Sequence, residues 1–218
     1  FSGNAIDSSG NGNDGTVNGA TLTTDRFGNS NSAYYFSSAG CATRIDYNLN
    51  TTSINGGLTV SLWISRTGNG CKGPRIFEAW PGRDDVAGRF SVSWDNRYKQ
   101  PHIIHELITG NSLRNEVKWG GNAINFGNNN WHMLTYTNDG DTAKFYNNGV
   151  LLKSMACPVG SSVVLSSDVA IGRMNHPAWD AFNGKIDDMG IWNRALSETE
   201  IKDIFNSKKS AVVYNDTT

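Results

Sequence analysis

Asp7-Ser-Ser-Gly-Asn-Gly-Asn13 sets side-chain oxygens on a glycine-rich backbone. A hard cation such as Ca²⁺ takes about six to eight oxygens from carboxylates, amides and carbonyls. Asp7, Asn11 and Asn13 offer such donors on a chain able to fold round an ion. Asp187 and Asp188 supply two adjacent carboxylates near the other end. The same residue types also serve turns, because Asp and Asn bond their own backbone. Metal ligation and turn chemistry both fit this stretch.

The second chemistry is aromatic. Seven tryptophans are many for 218 residues. A sugar presents apolar C–H faces ringed by hydroxyls, so its site wants a flat aromatic with polar neighbours. Trp80, Trp94, Trp119 and Trp179 fall at strand ends or in loops. Arg83, Asp95, Asn175 and His176 stand beside three of them. These eight residues are the candidate carbohydrate-binding set, with packing against a loop as the alternative for each tryptophan. Trp63, Trp131 and Trp192 lie within strand-like patterns and read as core.

Acid–base groups form a weaker constellation. Glu78 has no acidic neighbour within four residues, Asp84-Asp85 sits in a turn, and Glu198 and Glu200 belong to a helix cap. His102-Ile-Ile-His-Glu106 follows Arg89, Arg97 and Tyr98. On a strand His102 and Glu106 share a face and His105 points away, so one histidine at most lines a groove. No nucleophile elbow, phosphate loop or dinucleotide fingerprint is present. No catalytic residue is assigned.

The elements that would hold these residues are almost all strands. Leu58, Val60, Leu62 and Ile64 alternate on one face of a half-buried strand. Further strands are expected at 33–36, 42–45, 75–80, 89–94, 102–108, 116–119, 131–136, 143–146, 150–152 and 169–171. Asn138-Asp-Gly-Asp141 and Asn148-Gly149 are hairpin turns. Near the end the period changes. Ser197-Glu-Thr-Glu200 is a capping box, Leu196 and Ile201 are placed for a hydrophobic staple, and Ile201, Ile204 and Phe205 give a helical stripe.

Short strands without intervening helices are the pattern of a β-sandwich. The chain is long enough to bury about 70% of its unfolded surface. Residues 1–218 read as a single domain with no repeat or linker. A net charge of −1 argues against a nucleic-acid footprint. No apolar run approaches the ~20 residues of a membrane span, so membrane insertion is not expected. Three cysteines, Cys41, Cys71 and Cys157, permit one disulfide.

The C-terminal stretch carries a resemblance. Gly184, Ile186, Asp187, Asp188, Ile191, Trp192, Asn193-Arg-Ala-Leu-Ser197 and Glu200-Ile201 resemble the closing signature of LamG-like, concanavalin A-like lectin/glucanase jelly rolls of secreted bacterial proteins. Trp192 stands where that signature usually has Tyr. Asp7 to Asn13 with Asp25-Arg-Phe-Gly28, Asn130-Trp-His-Met-Leu134 and Phe145-Tyr-Asn-Asn-Gly-Val150 resemble the family in the expected order.

The resemblance implies an all-β fold: two antiparallel sheets in a concanavalin A-like jelly-roll sandwich, with one short C-terminal helix. It implies a structural calcium ion tying the N-terminal loop to the late strand through Asp7, Asn13 and one of Asp187 and Asp188. It implies a secreted or cell-surface setting, and family members usually carry apolar residues before the equivalent of Phe1. The chain therefore reads as a domain of a longer exported protein. In that setting Cys71–Cys157 is the expected bridge, against three buried thiols. Glucanases of this fold typically carry Glu-x-Asp-x-x-Glu on one strand, and nothing here matches. The expected function is a non-catalytic carbohydrate-binding or adhesion module whose partner is a polysaccharide or glycan. A lyase or hydrolase using residues 89–106 and a protein-interaction domain are the alternatives.

Overall fold

The computed structural model describes residues 1–37, 42–49, 56–68, 74–80, 89–95, 100–109, 112–119, 129–159, 161–173 and 182–207; the side chains of residues 95, 100, 106–109 and 112–119 lie outside the description. Two antiparallel sheets face each other. In the first, β1 (Thr16–Asn18), β4 (Arg44–Asn48), β14 (Asp168–Ile171), β6 (Arg75–Ala79), β7 (Phe90–Asp95) and β8 (Gln100–Thr109) are neighbours in that order. Both β13 (Ser161–Ser162) and β9 (Ser112–Trp119) also pair with β8. The second sheet runs β12 (Val150–Ala156), β11 (Thr142–Asn147), β10 (Trp131–Asn138), β5 (Leu58–Arg66), β15 (Gly184–Trp192), β3 (Ala33–Phe36) and β2 (Thr21–Thr23). The jelly-roll sandwich and the one short helix among the described residues match the sequence expectation.

Strand alternation decides what lies between the sheets. Ile45, Tyr47, Val169, Ile171, Phe77, Phe90, Val92 and Trp94 face inward from the first sheet. Leu58, Val60, Leu62, Ile64, Leu134, Tyr136 and Phe145 meet them from the second. The Asn148-Gly149 turn has positive φ at both residues, as the two-residue hairpin joining β11 to β12 demands.

One polar chain crosses this apolar space. Buried His105, on β8, places Nε2 2.9 Å from the Val164 carbonyl, so Nε2 carries the proton. Its Nδ1 then accepts from the Tyr136 hydroxyl of β10 at 2.6 Å. Asn138 Nδ2 donates to the same hydroxyl oxygen, and Asn138 Oδ1 accepts from Gly140 N. Cys157 ends the chain: it is a buried free thiol 3.5 Å from Asn138 Oδ1. The expected Cys71–Cys157 bridge is therefore not formed, because Cys157 faces this network instead; Cys41 and Cys71 lie outside the described residues.

The outer face of the second sheet is covered as well. All nine residues of β5 are buried, where alternation predicted one exposed face. The cover comes from the C-terminal segment. Thr59 Oγ1 donates to the Arg194 carbonyl and accepts from Leu196 N. Helix α1 (Glu198–Asn206) lays Ile201, Ile204 and Phe205 over Trp63, Met133, Tyr146 and Trp192. Phe205 stacks on Trp63 with centroids 5.6 Å apart. The capping box forms as the sequence predicts: Glu200 N donates to Ser197 Oγ, and Ser197 N donates to Glu200 Oε2. Arg194, bound to both Glu200 oxygens, with help from Ser197 N, holds the Glu200 carboxyl down at about 2. Ser197→Ala is expected to cost about 1 kcal/mol in urea unfolding.

Candidate functional site

The outer face of the first sheet, turned away from the core, carries charged and hydroxylic side chains. Glu78 on β6 pairs in register with Ser91 on β7, and Arg75 with Ser93. Residues three apart on a regular strand point to opposite faces. Here the register shifts between Arg75 and Phe77, a β-bulge that turns Ile76 into the core and brings Arg75 to the Glu78 side. Arg75 Nε then lies 3.4 Å from Glu78 Oε2, and Arg89 Nε donates to Glu78 Oε1 at 2.9 Å. Burial pulls the Arg75 guanidinium below its ordinary range; the Glu78 charge opposes this and Arg89 adds to it.

Burial is the decisive property of this face. Glu78 is 1% exposed and Ser91 0%, although neither points at the apolar core. Among the described residues Ser91 Oγ and Glu78 Oε2 have no hydrogen-bond partner. Around them stand Ser93, whose hydroxyl donates to the His102 carbonyl, half-buried His102 itself, and Trp80. Trp80 follows Glu78 by two residues and stays in the ladder through its N–H to the Asp168 carbonyl. A carboxylate, a hydroxyl and two guanidiniums share this face with half-buried Trp80 and His102. Its half-buried members can exchange hydrogen bonds with a polyol and stack on its C–H face.

The expected sugar set divides. Trp80 is half-buried just past the end of β6, in phase with Glu78. Trp94 is a correction: alternation along Phe90, Val92 and Trp94 turns it into the core, where it is 2% exposed with the Arg66 guanidinium 4.7 Å from its ring. The backbones of Asp95 and Trp119 end β7 and β9. Arg83, Asn175, His176 and Trp179 lie outside the described residues, as do Arg97 and Tyr98. Sequence reasoning missed the Glu78 centre, because without the bulge the Arg75–Glu78 spacing reads as opposite faces.

The expected calcium donors also divide. Asp7 accepts from Ser9 N with one oxygen and from Asn13 N and Nδ2 with the other, while Asn11 N reaches Ser9 Oγ. Burial opposes ionisation of Asp7, and these hydrogen bonds outweigh it to hold the carboxyl below its usual range. That is turn chemistry. Asp187 and Asp188 lie at a second place. Arg26 Nη1 donates to Asp187 Oδ2 at 3.1 Å and to Asp188 Oδ2 at 2.5 Å, and the Phe1 nitrogen donates to both residues. Burial first, and the Asp188 charge second, still raise the Asp187 carboxyl above its ordinary range. Among the described residues no three His, Cys, Asp or Glu side chains converge as a metal site. Asp7 is engaged within its own loop, and Asp187 and Asp188 are engaged by Arg26 and the Phe1 nitrogen.

Residues 39–202 match the family model described as the concanavalin A-like lectin/glucanases superfamily. The chain belongs to that superfamily. Its architecture is also similar to receptor-binding domains of botulinum neurotoxins. For the C/D mosaic serotype the TM-score is 0.69 at 20% identity, covering 93% of this chain and 48% of that one. The serotype D ligand-binding domain in complex with N-acetylneuraminic acid gives 0.69 at 22% identity, with 93% and 48% covered. The serotype G binding domain gives 0.67 at 21%, with 92% and 47% covered. At such identities the likeness shows the jelly-roll fold, and this chain spans about half the length of those domains. No curated protein matches the sequence. Among the described residues no helix is long and apolar enough to cross a membrane.

Proposed function

We propose that this protein is a non-catalytic, extracellular carbohydrate-binding module that holds a glycan on the outer face of its first sheet, as one domain of a larger secreted protein. The reading is carried by the polar row on that face, where Glu78 is held between Arg75 and Arg89 and where Arg89, Trp80 and His102 are half-buried rather than covered. Glu78 and Ser91 are themselves covered; Glu78 fixes the Arg89 guanidinium, which donates to a sugar hydroxyl at the accessible edge. Trp80 supplies the apolar surface beside it.

One further fact supports binding without turnover. Glycoside hydrolysis uses two carboxylates about 5 Å, or about 6.5–9.5 Å, apart. Glu78 is instead clamped by two guanidiniums, and Asp46, two strands away in the same row, is tied to Arg44 and Asn18. The superfamily description covers lectins and glucanases alike, so it supports a sugar ligand without deciding turnover; a structurally similar neurotoxin domain is complexed with N-acetylneuraminic acid.

The test is glycan-panel binding followed by calorimetric titration. Trp80→Ala is expected to weaken affinity roughly tenfold, since it loses a stacking surface at little cost to the fold. The same mixtures are assayed for reducing ends and unsaturated sugars. Product release would replace the binding reading with a lyase or hydrolase. Unchanged affinity in Trp80→Ala would move the site off this face.

A further inference from the structure

The superfamily resemblance leads one to expect a bound cation between the N-terminal loops and the late strand. The structure puts a guanidinium there. Asp25 Oδ1 accepts from Phe27 N and Asn29 N, and its Oδ2 from Asn29 Nδ2, closing a turn that presents Arg26 inward. The Arg26 side chain is 6% exposed and is flanked by the rings of Phe27 at 4.3 Å and Trp63 at 4.4 Å. On the other side β15 breaks its register between Asp187 and Gly190, with Asp188 at φ 42°. Consecutive strand residues normally point to opposite faces. The bulge instead gives both carboxylates to one guanidinium nitrogen.

We infer that Arg26 does in this chain what a bound divalent cation would do: its charge ties the N-terminal loops to β15, and the fold needs no calcium to close there. The two carboxylates are nearly fully buried, at 2% and 3% side-chain exposure. Two adjacent buried negative charges require a positive one in contact. Arg26 supplies one from a turn that Asp25 fixes, on the opposite carboxylate oxygens from the Phe1 nitrogen. Asp7, the other half of the expected ion site, is spent on its own loop.

The experiment is thermal unfolding of the whole chain in millimolar calcium and in excess chelator, for wild type, Arg26→Met and Arg26→Lys. Wild type is expected to melt at the same temperature in both buffers. Arg26→Met keeps an apolar stem between the two rings but removes the charge. It is expected to lower Tm by roughly 6–20 °C, the effect of breaking a buried ion pair in a domain of this size. Arg26→Lys keeps the charge and loses less. A fall in wild-type Tm on chelation, reversed by calcium, would overturn the inference. So would an Arg26→Met variant as stable as wild type. If Arg26→Met does not fold, Arg26→Lys and wild type under chelation still decide the question.

Discussion

Acidification from pH 7 to pH 4 is expected to cost this domain roughly 3 kcal/mol through His105 alone. Burial pushes the imidazole from its ordinary 6.5 down to about 4, and the hydrogen bond to Val164 only partly opposes this. The folded ring stays neutral across that interval while the unfolded ring takes a proton. The unfolded state therefore binds more protons, and stability falls as pH falls from 6.5 towards 4. Above pH 7 both rings are neutral and the contribution is complete. Asp187 works in the opposite sense over part of the same range, because its folded carboxyl sits above the usual value. The wild-type curve therefore mixes the two. His105→Gln removes one of them while keeping a donor for Val164 and an acceptor for Tyr136. Urea unfolding at pH 7, 6 and 5 is expected to show the wild type losing stability relative to His105→Gln at each step. A constant difference between the two proteins would sink the argument. The link to function is mechanical: His105 and Tyr136 join the two sheets directly behind β7, whose outer face holds Ser91.

What was legible in the sequence was what local pattern controls. The capping box, the Leu196–Ile201 staple and the Asn148-Gly149 hairpin depend on residues within a few positions of one another, and each stands where its residues place it. The inner face of β5 followed from alternation. Its outer face did not, because the cover is supplied by a helix more than 130 residues later in the chain. Trp94 carried a readable signal: Phe90, Val92 and Trp94 share one parity, and two apolar residues in phase outweigh the polar neighbours that suggested a sugar contact. Arg75 with Glu78 and Asp187 with Asp188 were not readable. In both pairs a register break overrides alternation, and nothing in the residue types at Ile76 or Met189 announces it. Arg26 stood within the Asp25-Arg-Phe-Gly28 resemblance, but its partners lie about 160 positions away.

Glu78→Ala is expected to destabilise the fold by about 3–5 kcal/mol, the range for removing one partner of a buried ionic group. Arg75 is 7% exposed, and the Arg89 side chain is 17% exposed. Without the carboxylate two positive charges face each other with little water between them. The variant is also expected to lose glycan binding, because the Arg89 guanidinium proposed to meet a sugar hydroxyl loses the carboxylate that fixes it. Loss of both properties in one variant would not separate them. The triple variant Arg75→Met, Glu78→Leu, Arg89→Met does, since well-packed apolar residues commonly replace a buried ion cluster at little or no cost. Its urea midpoint is expected to recover most of what Glu78→Ala loses, while calorimetry shows no glycan binding. Recovered stability together with retained binding would show that the cluster serves only the fold. In that case the glycan-binding surface lies off the bulge that places Arg75 beside Glu78.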